Sequence, residues 1–141
     1  MPHTGSCLCG QARYTITDEP LGARMCWCRD CQKIACGSAT VSVLFRESSV
    51  QFSGEITTME KRADSGNRLE RGFCPTCGSH IYSRTIEPVG QPIRIRAGSL
   101  DNPDLMAPQA IIWAASAPSW AYFDPALARY ERQPPPSVAR G

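Results

Sequence analysis

Alternating apolar and polar residues along the chain predict β-strands. Ala12, Tyr14 and Ile16 are separated by polar residues, and Val43 and Phe45 continue the pattern further along. A period of two places one face of a strand against a core and the other toward solvent. The same reasoning predicts strands over residues 12–17, 40–45, 50–52, 55–62, 68–73, 80–85, 93–97 and 109–114. The chain is therefore expected to be mainly β.

Turns and short helices account for much of the remaining sequence. Residues 53–54 and 63–67 are rich in glycine and small polar residues, which predicts tight turns. Residues 32–37 can form one helical turn. Asp124 followed by Pro125 is typical of a helix start, because the carboxylate caps free N–H groups and proline suits the first helical position. A short helix is expected there, ending near residue 130.

The length of 141 residues predicts one domain with a core of its own. We place this domain over residues 1–133, followed by a disordered, proline-rich tail over residues 134–141. There is no charged-then-apolar leader, and no apolar run has the length of a membrane span. These features predict a cytoplasmic protein that does not bind membranes.

Formal charge gives little indication of a polyanionic partner. The chain carries 15 Lys and Arg against 13 Asp and Glu, which gives a net charge of +2. Seven zinc-bound thiolates and two zinc ions would change that total to about −1. We therefore expect no strongly electropositive groove and no nucleic-acid partner.

Cysteines supply the candidate chemistry. Seven of the eight cysteines fall into three short motifs: Cys7-Leu8-Cys9, Cys26-Trp27-Cys28-Arg29-Asp30-Cys31 and Cys74-Pro75-Thr76-Cys77. Zinc–sulfur bonds of about 2.3 Å place neighbouring sulfurs roughly 3.8 Å apart on a tetrahedron, which spacers of one or two residues permit. In a chain with no secretory signal, such motifs indicate metal ligands rather than disulfides.

Ligand counting predicts two zinc sites of different kinds. The simplest partition assigns Cys7, Cys9, Cys74 and Cys77 to one zinc, and Cys26, Cys28 and Cys31 to a second. Four protein ligands are typical of a structural site, whereas a catalytic site keeps one position open. Cys36 is the eighth thiol. It is either the fourth ligand of the second site or an ordinary buried thiol.

Several stretches resemble the glutathione-dependent formaldehyde-activating enzyme family, which includes centromere protein V-like proteins. They are GSCLCG at residues 5–10, CWCRDCQK at 26–33, FCPTCGSHIY at 73–82 and RAGSLD at 96–101. The resemblance runs from residue 5 to about residue 133. It implies a β-tent of coiled antiparallel sheets and the same partition of cysteines between two zinc ions.

The resemblance also implies an activity. Members of the family are assigned carbon–sulfur lyase chemistry on adducts of glutathione with formaldehyde, such as S-hydroxymethylglutathione. Cys26, Cys28 and Cys31 would then be the catalytic residues, and a small thiol–aldehyde adduct would be the substrate. The alternative is a zinc-binding module without catalysis, which binds a protein or a small thiol.

Five further side chains have two interpretations each. Arg29 and Lys33 either bind a carboxylate of a glutathione-like substrate or are solvated. Trp113 and Trp120 either form the wall of a pocket or belong to the core. His80 either orients a thiolate or lies on a strand without a role.

Overall fold

The computed structural model describes residues 2–135 and shows two β-sheets with one short α-helix. Within these residues the strands and the helix are β1 His3–Ser6, β2 Arg13–Ile16, β3 Gly22–Cys26, α1 Arg29–Ile34, β4 Thr40–Phe45, β5 Val50–Ser53, β6 Thr57–Arg62, β7 Arg68–Phe73, β8 His80–Glu87, β9 Ile93–Arg96, β10 Ala110–Ile112 and β11 Ala128–Arg129. Three single turns of 3₁₀ helix lie between strands. The mainly β prediction is confirmed.

The strands form a small and a large sheet. The small sheet has the order β1-β2-β5, and the large sheet has the order β11-β10-β3-β4-β9-β8-β7-β6. Nearly every neighbouring pair is antiparallel, as predicted. β10 differs, because it runs parallel to both β3 and β11. Short turns connect β1 to β2, β6 to β7, β7 to β8 and β8 to β9. Two of these turns, after β1 and after β7, carry the first and third cysteine motifs.

One apolar cluster joins the two sheets. Tyr14 and Ile16 of β2 pack in the same cluster as Val43 and Phe45 of β4 and Ile95 of β9. Each has an exposed fraction of 2% or less. Burying a side chain of this size contributes roughly 1.5–3 kcal/mol. The alternation seen in the sequence therefore marks the face of each strand that holds the sheets together.

The turn at residues 53–54 connects the two sheets rather than closing a hairpin. β5 pairs with β2 in the small sheet, whereas β6 pairs with β7 in the large one. Gly54 has a φ of +82°, and a Cβ there would meet the backbone carbonyl of Gln11. Glycine is required because this close approach leaves no room for a side chain.

The predicted helix from Asp124 to residue 130 is wrong. The Asp124 carboxylate accepts a hydrogen bond from the backbone N–H of Ala126 at 2.9 Å, which makes a turn. The chain then forms β11, and the N–H of Tyr130 donates to the carbonyl of Ile111 at 2.8 Å. The segment is extended because its backbone pairs with β10, and capping residues favour turns as well as helices.

The described chain ends at Pro135 and so includes only the first two residues of the predicted tail. Pro134 is buried and Pro135 is exposed. Residues 136–141 lie outside the described residues, and with them most of the predicted tail. In the described part of the chain, no helix has the length and apolar character needed to cross a membrane.

Candidate metal centres and the adjoining pocket

The first cysteine cluster joins the two sheets. Cys7 and Cys9 follow β1 of the small sheet, and Cys74 and Cys77 lie in the turn between β7 and β8 of the large sheet. The four sulfurs lie within 4.8 Å of one another. The Sγ atoms of Cys7 and Cys9 are 3.6 Å apart, and those of Cys9 and Cys74 are 3.8 Å apart. These separations suit a tetrahedral zinc site.

Hydrogen-bond donors around Cys74 and Cys77 favour the thiolate forms of these two residues. Cys74 Sγ accepts hydrogen bonds from the N–H groups of Thr76 and Cys77, at 3.3 and 3.4 Å, and from Gln11 Nε2 at 3.2 Å. Hydrogen bonds from Ser79 lower the pKa of Cys77 to about 5. Donors stabilise the negative form of a thiol, which is the form that binds metal. The donor set of the four residues therefore fits zinc.

The second cluster, here called the trio, lies where β3 passes into α1. Cys26 ends β3, Cys28 is the N-cap of α1, and Cys31 is in the first turn of the helix. The three sulfurs lie within 4.8 Å of one another. The helix begins three residues before the predicted turn at residue 32, because Cys28 Sγ accepts the N–H of Cys31 at 3.4 Å. Helix capping therefore positions two of the three thiols.

The thiols of the trio have pKa values that are shifted in opposite directions. Hydrogen bonds from Cys26 and Cys28 lower the pKa of Cys31, and the positive charge of Arg96 lowers it further. Hydrogen bonds to Cys28 and Cys31, together with burial, raise the pKa of Cys26. One thiolate is therefore stabilised at the expense of its neighbours, and a divalent ion would remove that competition. Three soft sulfur donors in this arrangement also fit zinc.

Cys36 belongs to neither cluster. It is exposed, so the interpretation as a buried thiol is wrong. Its sulfur does not lie with the three sulfurs of the trio. The backbone of Cys36 has a φ of +59° and closes the turn after α1, where the N–H of Gly37 donates to the carbonyl of Gln32. Within residues 2–135 the trio therefore has no fourth cysteine.

A cavity of about 60 Å³ adjoins the trio. All three sulfur-bearing residues line it, and Trp113 forms part of its wall, as one interpretation of that residue predicted. Four arginines also line it: Arg24, Arg71, Arg94 and Arg96. Asp64 lines the cavity as well, so the arginines form a local cluster of positive charge with one carboxylate beside it. The total charge of the chain does not report how strands gather arginines on one face of a sheet.

Strand register explains the arginine cluster. Arg24, Ser42 and Arg96 form one cross-strand row, and Arg71, Ser83 and Arg94 form a second. Residues opposite one another in a sheet project to the same face. That face is opposite the one carrying Val43 and Ile95, which pair with each other and pack in the core.

Both arginines of β9 donate hydrogen bonds to hydroxyl groups. Arg94 Nε donates to Ser83 Oγ at 2.8 Å, and its Nη2 donates to Thr85 Oγ1 at 3.1 Å. Arg96 Nη1 donates to Ser42 Oγ at 2.9 Å. Burial, followed by the charges of the neighbouring arginines, lowers the pKa of Arg94 to about 9. The pocket is therefore a desolvated site of positive charge.

The charged residues of α1 divide into two exposed cations and one inward-facing carboxylate. Arg29 is exposed and donates to Gln32 Oε1 at 2.5 Å, and Lys33 is exposed. Neither lines the cavity, which agrees with their interpretation as solvated residues. Asp30 instead faces inward, with its carboxylate 2.5 Å from Lys61 Nζ and 3.7 Å from Arg71 Nη2.

The other tryptophans lie outside the pocket. Trp27 is buried, and its ring packs edge-on against Trp120 and Phe123 at centroid distances of 6.4 and 6.1 Å. Trp120 itself is 70% exposed and does not line the cavity. The pocket-wall interpretation therefore holds for Trp113 and not for Trp120.

His80 lies on β8, and its ring stacks on Phe73 with a centroid distance of 5.4 Å. Its Nδ1 atom is buried and has no hydrogen-bond partner among the described residues. Burial, followed by the charges of Arg96 and Arg71, lowers the pKa of His80 below its ordinary value of 6.5. The imidazole makes no hydrogen bond to a thiol in the described chain, so the structure supports only its placement on a strand.

The environment of His80 predicts that the free energy of unfolding falls as pH decreases. Below pH 6.5 the unfolded chain protonates His80 while the folded chain resists protonation, so the unfolded state binds more protons. We expect wild type to lose unfolding free energy between pH 7 and 5 more steeply than His80→Asn. Urea unfolding at several pH values measures this difference. Equal slopes for the two proteins would contradict the expectation, as would an NMR titration midpoint for His80 above 6.5.

The fold and the clusters define a class of protein: a β-sheet domain in which two groups of cysteines can hold metal ions. The chain belongs to the family described as glutathione-dependent formaldehyde-activating enzyme, whose sequence model matches residues 2–116. Membership indicates a glutathione-related, aldehyde-activating function. It also confirms the resemblance drawn from the cysteine motifs.

Comparison with solved structures supports the fold. A crystal structure of a Rhodobacter sphaeroides protein superimposes with a TM-score of 0.57 at 21% sequence identity. The match covers 74% of this chain and 96% of that one. No curated protein matches the chain.

Proposed function

We propose that the chain is a zinc-dependent carbon–sulfur lyase acting on adducts between a small thiol and an aldehyde. Cys26, Cys28 and Cys31 are the proposed catalytic zinc ligands. The observation that carries the proposal is a three-sulfur cluster on the wall of a cavity, without a fourth cysteine in the described chain. Catalytic zinc sites keep a position for substrate, whereas structural sites are closed by four protein ligands.

The four-cysteine cluster is the proposed site of a second, structural zinc. It contacts both sheets and does not line the cavity beside the trio. Glutathione is the proposed thiol, because the family is named for it. Together the two clusters give the proposed stoichiometry of two zinc ions per chain.

The residues around the trio suit the making and breaking of a carbon–sulfur bond. A bound zinc ion would stabilise the thiolate form of the substrate, which is the nucleophilic form. Thr40 hydrogen-bonds Cys31, and the backbone N–H of Cys31 donates to Cys28 Sγ, so these two ligands are held in place. Trp113 and Ile112 form an apolar wall that limits water near the reacting sulfur.

The reaction balances without an oxidant or reductant. In the forward direction the thiolate sulfur forms a bond to the aldehyde carbon, and the carbonyl π electrons move to oxygen, which takes up a proton. In reverse, the oxygen loses that proton as the carbon–sulfur bond breaks. The arginines of the pocket favour the negative charge that develops on oxygen during either step.

Exchange NMR tests the proposal, because the glutathione–formaldehyde adduct also forms without an enzyme. We expect the zinc-loaded protein to accelerate exchange between free and adduct ¹³C-formaldehyde, and Cys31→Ser to return the rate to background. Cys36→Ser is the matched control and should retain the wild-type rate, since Cys36 is exposed and outside both clusters. Glutathione binding with no acceleration would instead support the non-catalytic module.

A further inference from the structure

Two guanidinium groups in the pocket beside the trio lack a carboxylate partner. Arg94 contacts the hydroxyls of Ser83 and Thr85, and Arg96 contacts the hydroxyl of Ser42. No carboxylate in residues 2–135 forms an ion pair with either arginine. Hydroxyl groups offer no compensating charge, and a buried cation without an anion is unfavourable.

Two arginines that line the same cavity carry buried hydrogen-bond donors without a partner. Arg96 and Arg71 are 9% and 2% exposed, and the Nε atom of each is buried without a partner among the described residues. Arg71 has one distant ion-pair contact, with Asp30 at 3.7 Å. Buried donors of native proteins are almost always satisfied, so unpaired Nε atoms on two cavity-lining arginines indicate that the cluster lacks an acceptor.

The trio does not supply enough negative charge to account for the arginines. Four arginines line the cavity, and Asp64, Asp30 and a divalent ion held by three thiolates offset three of their charges, which leaves one cation without an anion. An anionic ligand with oxygen acceptors would offset the remaining charge and accept hydrogen bonds from guanidinium N–H groups that the hydroxyls of Ser42, Ser83 and Thr85 leave unused. The chemistry of the lining therefore favours a carboxylate or a similar oxyanion.

The volume of the cavity limits the size of that anion. A water molecule needs roughly 10–15 Å³ of such volume, so about 60 Å³ holds about four to six water-sized groups. A two-carbon acid is of this size, and a tripeptide such as glutathione is far larger. The same cavity is lined by Cys26, Cys28 and Cys31, so the anion lies beside the reacting sulfur.

We propose that the arginine pocket binds the carboxylate of a compact oxo acid, so that the carbonyl substrate is an aldehyde acid such as glyoxylate. This inference rests on the proposed function and names its carbonyl partner. The thiol sulfur forms a bond to the aldehyde carbon, and the carbonyl oxygen gains the proton that the thiol loses. The carboxylate on the adjacent carbon remains intact and accepts hydrogen bonds from Arg94 and Arg96.

Calorimetric titration of the zinc-loaded protein tests the pocket without relying on turnover. We expect glyoxylate to bind wild type, and acetaldehyde, which lacks the carboxylate, to bind at least tenfold more weakly. Arg94→Met should weaken glyoxylate binding by about tenfold to a hundredfold, because it removes a charge-assisted hydrogen-bond donor. Arg46→Met is the control, since Arg46 pairs with Asp18 away from the trio.

A second variant separates a loss of binding from a loss of folding. Arg94→Lys keeps the charge but loses the planar fork, so it should bind glyoxylate with an affinity between those of wild type and Arg94→Met. Circular dichroism of all variants should match wild type, because Arg94 is surrounded by like charges and its removal relieves their repulsion. Equal glyoxylate affinity in wild type and Arg94→Met would overturn the inference.

Two further outcomes separate this inference from the proposed function. Inorganic phosphate that binds tightly and is not displaced by glyoxylate would overturn the oxo-acid assignment. Acceleration of the glutathione–formaldehyde exchange with no binding of glyoxylate would also overturn it, while leaving the lyase proposal intact. Glyoxylate binding that depends on Arg94, with no accelerated exchange of any thiol adduct, would uphold the pocket and overturn the lyase.

Discussion

Replacing Cys74 with serine is expected to lower the thermal unfolding midpoint by on the order of 10 °C or more. The side chain is 0% exposed, and its sulfur lies 3.8 Å from that of Cys9. The cluster links the small sheet to the turn between β7 and β8, so a lost ligand weakens metal binding and the contact between sheets together. Because the clustered site exists only in the folded chain, metal affinity adds directly to stability.

Differential scanning calorimetry of zinc-loaded proteins measures this effect. Cys36→Ser is the matched control, because it makes the same chemical change at an exposed thiol outside both clusters. We expect its midpoint to stay within about 2 °C of wild type, as for most surface substitutions. A Cys74→Ser midpoint equally close to wild type would contradict a structural role for the first cluster.

Replacing Cys28 with serine is expected to remove one zinc ion and leave the fold intact. Cys28 caps α1 through its sulfur, and serine is one of the residues preferred at that position, so the helix should persist. The trio would retain two thiols, too few for a stable zinc site in competition with water. Elemental analysis should give two zinc ions for wild type and one for the variant.

Circular dichroism and the exchange assay complete that experiment. The variant should keep the wild-type spectrum and lose the accelerated exchange. Cys36→Ser should keep both zinc ions and the full rate. Two zinc ions together with wild-type turnover in Cys28→Ser would remove the basis for placing catalysis at the trio.

Both cysteine clusters could be predicted from the sequence, but for different reasons. Cys26, Cys28 and Cys31 are too close along the chain to separate widely in any fold. The association of Cys7 and Cys9 with the distant pair was not a matter of spacing. It followed from counting four ligands for one closed site, and the structure brings those pairs together.

The arginine pocket could not be predicted in the same way. Arg94 and Arg96 alternate with Ile93 and Ile95, so the sequence does place them on one face of β9 opposite the core. Charged residues at alternate positions of a buried strand are a usable signal. What the sequence lacks is the strand order that places β4 beside β9 and so brings Arg24 near Arg96, since the β4–β9 pairing joins segments far apart in the chain.

The false helix after Asp124 has a related cause. Local preference favoured a capped helix there, but the carboxylate makes a turn with Ala126 instead. Pairing with β10 then satisfies the backbone of residues 128–130, and this tertiary contact outweighs the weak propensity of a few residues. Short elements are the ones whose structure depends most on distant partners.

Zinc-edge X-ray absorption spectroscopy, before and after glutathione is added, tests the open trio most directly. With four sulfurs in one cluster and three in the other, we predict a mean of three and a half sulfur ligands per zinc, together with a light-atom ligand. Added glutathione should raise the mean to four and remove the light atom. Four sulfurs per zinc before any thiol is added, or a spectrum that glutathione leaves unchanged, would contradict the account.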